Sequence, residues 1–223
     1  MAVPVLELKH VNKSFCLDAV EVHALIDINL TIKKGELAAI IGPSGSGKST
    51  LMYIMGFLDT PTSGQVIFEG RDVSKLNENQ QASIRNEKIG FVFQMFNLLP
   101  RTSALDNVLL PETYSKTDKA IARQRALALM ERVGISHRIS HFSNQISGGE
   151  QQRVAITRAF INDPSLILAD EPTGNLDSKT GDEIIKILKE FNKEGKTIVI
   201  VTHDLEVAKK CDRIIRIKDG QLV

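Results

Sequence analysis

An α/β fold built on a mostly parallel sheet is what this sequence predicts, and three observations carry the prediction. Short β-branched, apolar runs recur at 37–41, 90–93, 166–169, 197–201 and 214–217, with helical spacing between them, as expected for strands buried on both faces. Glycine-rich or acidic segments follow several of these runs directly, where a parallel sheet with right-handed crossovers gathers its loops at the carboxyl edge. The chain has 223 residues, 42% of them hydrophobic and 25% charged, enough for one globular domain or two tightly joined lobes and unlike a disordered protein.

Taken in order, the first forty residues alternate, at Val5-Leu6-Glu7-Leu8 and Ile28-Asn29-Leu30-Thr31-Ile32, and so does 64–69. That pattern predicts half-exposed strands in a small antiparallel layer. The run 37–41 is the first buried strand and 90–93 the next. From about 95 to 147 strand signals vanish and helical spacing dominates, with Ala122, Ala126, Leu129, Met130 and Val133 on one stripe, so an all-helical insertion is predicted. After 166–169, Ile184, Ile187, Leu188 and Phe191 mark a second amphipathic helix, and 197–201 and 214–217 complete the sheet. Both stripes read as core. The expected organisation is one domain over 1–223, in which 1–94 and 156–223 supply the antiparallel layer and α/β core and 95–155 a helical subdomain.

Lys plus Arg number 28 and Asp plus Glu 27, a net charge of +1, so there is no basic excess to release counterions from nucleic acid. Two cysteines, Cys16 and Cys211, stand far apart in no metal-ligand spacing, which suits a reducing compartment. No apolar run approaches the ~18 residues that cross a bilayer, and Pro4, Glu7, Lys9 and Lys13 interrupt any leader-like apolar segment. The expectation is a cytoplasmic chain that neither spans a membrane nor carries an export signal.

Gly42-Pro43-Ser44-Gly45-Ser46-Gly47-Lys48-Ser49-Thr50 follows a buried strand and opens a helix, matching G-x-x-x-x-G-K-[ST] in the context that pattern requires. Glycines let backbone N–H groups converge on a phosphate, the helix amino end adds a favourable dipole, and Lys48 supplies a mobile positive charge for the β- and γ-phosphates. Ser49 would offer its hydroxyl to Mg²⁺, and Thr50 would extend the hydrogen bonding towards the α-phosphate. Leu166-Ile167-Leu168-Ala169-Asp170-Glu171 is an apolar strand ending in two carboxylates. Asp170 is the candidate for the metal side, and Glu171 the candidate general base that orients water for in-line attack. His203 follows the strand 197–201 and should emerge on the same edge, within reach of the γ-phosphate. Gln94 ends the strand 90–93, where its amide would ligate Mg²⁺ or water. His10, His23, His137 and His141 read as packing or surface residues.

With these residues in place the chain resembles the ATP-binding subunit of an ATP-binding cassette (ABC) transporter, because Ile146-Ser147-Gly148-Gly149-Glu150-Gln151-Gln152-Arg153 is similar to the family's LSGGQ signature. The resemblance covers nearly the whole chain: the P-loop at 42–50, Gln94 as the Q-loop, the signature at 147–151, the Walker B strand at 166–171, Gly174-Asn175-Leu176-Asp177 as the D-loop, and His203 as the switch histidine. It implies a P-loop NTPase of ABC ATPase type using ATP and Mg²⁺. It also implies a head-to-tail homodimer in which Ser147, Gly148, Gly149 and Glu150 of one copy close over the γ-phosphate held by the other. Asp177 would cross the same interface, and Phe15 would be the aromatic residue that stacks on adenine. Three positions depart from the family pattern: Phe15 for tyrosine, Ile146 for leucine and Glu150 for glutamine. Glu150 places a carboxylate near an anion site, and if it faces the phosphate it weakens binding there.

The segments Phe91-Val92-Phe93-Gln94-Met95-Phe96-Asn97-Leu98-Leu99-Pro100 and Asp170-Glu171-Pro172-Thr173-Gly174-Asn175-Leu176-Asp177-Ser178 resemble the macrolide-exporter (MacB) and lipoprotein-release (LolD) branch. That branch implies a separate integral membrane permease subunit, attachment to the inner face of the cell membrane, and export or mechanotransmission driven by ATP. The apolar run from Met95 to Leu99 is either part of a groove that receives the permease or buried core. The alternative is a soluble ABC ATPase acting in translation or on DNA; such proteins join two cassettes or insert long coiled coils, and neither feature is in this sequence. A metabolic P-loop kinase would share Lys48 and Ser49 but lack the signature.

Overall fold

The computed structural model describes residues 4–17, 20–115 and 117–223. Two sheets face each other across one helix. The first is antiparallel, in the order β2-β1-β4-β5, made of β1 (Pro4–Leu17), β2 (Val20–Lys33), β4 (Ser63–Phe68) and β5 (Arg71–Asp72). The second runs β10-β9-β3-β8-β7-β6. Its members are β3 (Leu37–Ile41), β6 (Ile89–Val92), β7 (Leu166–Asp170), β8 (Thr197–Val201), β9 (Arg213–Lys218) and β10 (Gln221–Leu222). All pair in parallel except β10, which turns back on β9.

Period-two alternation explains why the central strands are apolar throughout. Leu166 and Leu168 of β7, and Val199 and Val201 of β8, point into the core shared with the antiparallel sheet. Ile167, Ala169, Ile198 and Ile200 point into the opposite core, under the helices. The first core is filled by α1 (Lys48–Met55), whose Leu51, Met52, Ile54 and Met55 are inaccessible to solvent and which touches β1, β2, β7 and β8. The second core lies beneath α3 (Ala104–Leu109), α4 (Lys119–Arg132), α5 (Gly148–Phe160) and α6 (Ser178–Lys193). Here α5 approaches β6 so closely that a Cβ on Gly90 would lie 2.2 Å from the Ala159 carbonyl oxygen. A four-residue helix, α7 (Leu205–Ala208), joins β8 to β9.

The predicted strands of the parallel sheet and the strand predicted at 64–69 are present within a residue or two, and both predicted helical stripes lie on helices. Three features go beyond the sequence reading. β1 and β2 form a hairpin of 14 residues per strand, far longer than the two alternating patches. An unpredicted helix, α2 (Glu78–Lys88), precedes β6; it buries only Gln81 fully, so it offers no apolar stripe to read. Across 95–147 the regular helices are α3 and α4, and short 3₁₀ turns at Leu110–Tyr114, Ser136–Arg138 and Ser143–Gln145 connect them.

Candidate functional site

Strand order places the predicted chemistry along one edge. The carboxyl ends of four adjacent strands carry, in spatial sequence, the glycine loop after β3, Thr202 and His203 after β8, Asp170 and Glu171 at the end of β7, and Gln94 after β6. Backbone bonds lock this edge, from Thr202 N–H to the Ile40 carbonyl (3.0 Å) and from Glu171 N–H to the Val201 carbonyl (2.8 Å).

The glycine loop is shaped by close approach. A Cβ on Gly42 would lie 2.1 Å from the Ile217 carbonyl oxygen, and Gly47, at φ +99°, has the Ala24 carbonyl 2.5 Å from where its Cβ would be. A turn after β9 fastens the loop, since Gly220 N–H donates to the Ser46 carbonyl (3.1 Å) and Ile26 N–H to the Gly220 carbonyl (2.8 Å). Lys48 Nζ donates to the carbonyls of Gly42 (2.9 Å) and Pro43 (2.8 Å), so its ammonium sits over the loop. Pro43, Ser44, Gly45 and Ser49 are exposed, and Thr50 is half-buried.

The start of α1 is exceptional. Side-chain caps close the other helices: Asn77 on α2, Ser103 on α3, Asp118 on α4, Ser147 on α5, Asp177 on α6 and Asp204 on α7. Among the described residues only α1 has no side-chain cap, and its first turn holds no acid. Its leading N–H groups and dipole therefore face outward beside Lys48, the arrangement that binds an anion.

The two carboxylates at the end of β7 differ in their surroundings. Glu171, at φ +43°, accepts from Thr202 Oγ1 (2.8 Å) through Oε2 and from His203 N–H (2.9 Å) through Oε1, which also lies 2.6 Å from His203 Nδ1. His203 therefore pairs with the proposed base, and Nε2 is the ring nitrogen left for any other ligand. Burial, then the neighbouring charge of Glu171, pushes the Asp170 carboxyl up, with Lys48 pulling the other way. A cation beside Asp170 would offset both effects, and the exposed Ser49 hydroxyl opens the adjacent helix. One carboxylate and one hydroxyl, with phosphate oxygens and water, are a donor set that suits Mg²⁺. The described residues contain no cluster of three or more His, Cys, Asp or Glu side chains able to hold a metal without such a ligand.

Gln94 turns its amide nitrogen to Asn175 Oδ1 (3.3 Å), while Asn175 Nδ2 donates to the Gln94 carbonyl (3.0 Å). Asp177 caps α6, accepting from Thr180 N–H (3.0 Å) and Thr180 Oγ1 (2.6 Å), the hydroxyl bond being the main cause of its lowered pKa. Phe15 is 40% exposed on the outer arm of the hairpin, with Lys13 Nζ 4.9 Å from its ring centroid. Its neighbour Lys13 pairs with Leu25, beside the Ala24 carbonyl that touches Gly47, so the exposed ring stands near the glycine loop.

The signature segment lies elsewhere. In this chain, the nearest atoms to a Cβ on Gly148 belong to Leu176 and Phe96, and a Cβ on Gly149 would lie 2.4 Å from Thr180 Cγ2. Ser147 and Glu150 form a reciprocal cap: Glu150 N–H donates to Ser147 Oγ (3.3 Å) and Ser147 N–H to Glu150 Oε2 (2.8 Å). Glu150 Oε1 accepts from Arg138 Nε (2.8 Å) and lies 3.2 Å from His137 Nε2. Sequence reasoning missed Arg138 and Thr202. Thr202 had a signal, its place between a buried strand and His203; Arg138 lies 12 residues from its partner with no motif to mark it.

A groove of about 720 Å³ opens between α2, the Leu110–Tyr114 turn and α5, with Leu58, Phe91, Phe93, Pro111 and Tyr114 on its walls. The segment from Met95 to Leu99 divides: Leu98 packs on the helical core, whereas Met95 is 76% and Leu99 47% exposed. No described helix is long and apolar enough to cross a membrane.

Comparison with known proteins agrees with this geometry. The sequence profile described as ABC transporter matches residues 25–174. The chain is 53% identical over 218 residues to the uncharacterized ABC transporter ATP-binding protein YvrO of Bacillus subtilis, covering 98% of this chain and 95% of that one. It is 49% identical over 215 residues to the macrolide export ATP-binding/permease protein MacB of Bdellovibrio bacteriovorus, covering 96% of this chain but only 33% of that much longer one. Among solved structures, the dimeric bacterial ABC transporter cassette MJ0796 is 47% identical with a TM-score of 0.90, over 97% of this chain and 96% of that one. A second structure of that cassette, in a dimeric post-hydrolysis state with ADP and phosphate, is similar to the same degree, with a TM-score of 0.90.

Proposed function

We infer, because this chain belongs to the ABC transporter family, how its residues divide the work of an ATP-binding and ATP-hydrolysing subunit. The observation that carries the assignment is the uncapped start of α1 beside Lys48, on the same sheet edge as Asp170, Glu171 and His203. The triphosphate lies on the backbone N–H groups of 42–50, Lys48 leaves the loop carbonyls for the β- and γ-phosphoryl oxygens, and Phe15 stacks on the adenine face. Ser49 and Asp170 hold Mg²⁺, with Gln94 Oε1 as a further ligand. The ion supplies charge neutralisation to the phosphates. Glu171 takes a proton from the attacking water, and Thr202 and His203 fix its carboxylate.

The signature of one chain faces its own Leu176 and Thr180, which supports completion of each site by a second copy, Ser147, Gly148 and Gly149 approaching the γ-phosphate held by the partner. Asp177, at the start of α6 beside those glycines, belongs to the same interface. The homodimer in turn drives a separate membrane permease of the MacB and LolD type, docked in the groove between α2 and α5, which places the subunit on the cytoplasmic face of the membrane.

Replacing Glu171 with Gln keeps the side chain's size and removes its basicity, so turnover should fall by at least a hundredfold and an ATP-bound dimer should accumulate in size-exclusion chromatography. A variant that binds ATP but elutes only as monomer would overturn the two-copy site.

A further inference from the structure

The 3₁₀ turn Ser136–Arg138 projects a guanidinium onto the signature helix. Arg138 N–H donates to the Ile135 carbonyl (2.9 Å), and Ile135 is wholly buried. His141 N–H donates back to the Arg138 carbonyl (2.9 Å), and the next segment is tied to the start of α3 by Ala104 N–H to the His141 carbonyl (2.9 Å) and Leu105 N–H to the Ile139 carbonyl (3.1 Å). Arg138 is therefore delivered by anchored backbone. Its Nε reaches Glu150 Oε1 at 2.8 Å, and its Nη1 lies 3.2 Å from His141 Nε2.

Glu150 is the residue that departs from glutamine in the family pattern, and it stands in the first turn of the helix that is to receive the partner's γ-phosphate. A carboxylate there stabilises its own helix, since it caps Ser147 N–H and opposes the dipole, but it also repels an incoming phosphate. We propose that Arg138 is a positioning residue for the composite ATP site: it neutralises Glu150 and turns that carboxylate away from the phosphate face, so the signature can cap its helix and still attract an anion. The Arg138 hydrogen bond chiefly holds the Glu150 carboxyl down to about 2, so the group that Arg138 faces is a charged carboxylate. This inference rests on the proposed dimer, in which the signature meets ATP held by a second copy.

The test is a double-mutant cycle in the Glu171→Gln background, reading the ATP concentration at half-maximal dimer formation by light scattering. Hydrogen bonds to charged groups are worth enough that Arg138→Ala should raise that midpoint about tenfold. Adding Glu150→Gln should return most of the loss, because the uncompensated charge is then gone, and Arg138→Lys should lose less than Arg138→Ala. Affinity of the monomer for ATP, measured with a fluorescent analogue, should be the same in every variant, since the P-loop is untouched. Arg138→Gln, which retains length and polarity, carries the expectation should the alanine variant fold poorly. An unchanged midpoint in Arg138→Ala or Arg138→Gln, or a double variant no better than Arg138→Ala alone, would overturn the inference. Absence of any ATP-dependent dimer in the Glu171→Gln parent would instead overturn the dimer, and this role with it.

Discussion

Phe15 shows how much a single exposed ring can decide. A phenylalanine 40% open to solvent at the tip region of a hairpin contributes little to the core, and the ammonium of Lys13 near its ring adds a positive charge next to where the base would lie. Stacking on an aromatic side chain is worth about 1–3 kcal/mol per base, so Phe15→Ala should weaken ATP binding about tenfold in a fluorescence titration. Phe15→Tyr should match the parent, and an alanine variant with undiminished affinity would remove Phe15 from the site. Glu171 illustrates the opposite case, a residue whose partners were only half visible. Its place after an apolar strand was legible, but Thr202 and the backbone of His203 act on it across adjacent strands, and that pairing exists only once β7 and β8 are in register.

At the scale of elements, the sequence was most legible where periodicity and burial coincide. β3, β7 and β8 are apolar on both faces because both faces are covered, and α6 shows its stripe because Ile184, Ile187, Leu188 and Phe191 all enter the core. α2 was illegible for the converse reason, and the hairpin was underestimated because the outer arm of β1, Asn12-Lys13-Ser14-Phe15-Cys16, carries no alternation, even though Val20-Glu21-Val22-His23-Ala24 of β2 does. The orientation of Glu150 was also beyond sequence, since it depends on a turn whose geometry is set by buried Ile135. Helix starts give a sharper test. Asp177 both caps α6 and is proposed to act across the dimer, two roles that side-chain chemistry can separate. Asp177→Ala should cost about 1 kcal/mol through the lost cap, lowering Tm by about 2–4 °C for a chain of this size. Asp177→Asn keeps an acceptor for Thr180, so it should restore Tm while leaving ATPase turnover reduced. If asparagine restores both, the carboxylate is structural alone.

For the whole molecule, the groove between α2 and α5 shares an element with the signature segment: α5 begins at the signature and ends at the groove, where Arg158 donates to the carbonyls of Phe96 (2.8 Å) and Asn97 (2.6 Å). A charge placed on its walls, as in Leu58→Asp or Tyr114→Asp, should abolish co-purification of a membrane subunit from detergent extracts while ATP hydrolysis by the isolated chain persists; retained co-purification would move the docking site elsewhere. The strand order has one more consequence, for the chain as it is made. β3, which ends in the phosphate loop, takes both of its neighbours from the far end of the sequence, β8 at Thr197–Val201 and β9 at Arg213–Lys218. While the ribosome is still translating the helical region, β3 is a bare apolar strand with two open edges, a template for aggregation rather than a ligand site. Nucleotide can be held only after β9 has emerged, so a nascent chain stalled before residue 213 should be a client for chaperones and blind to ATP.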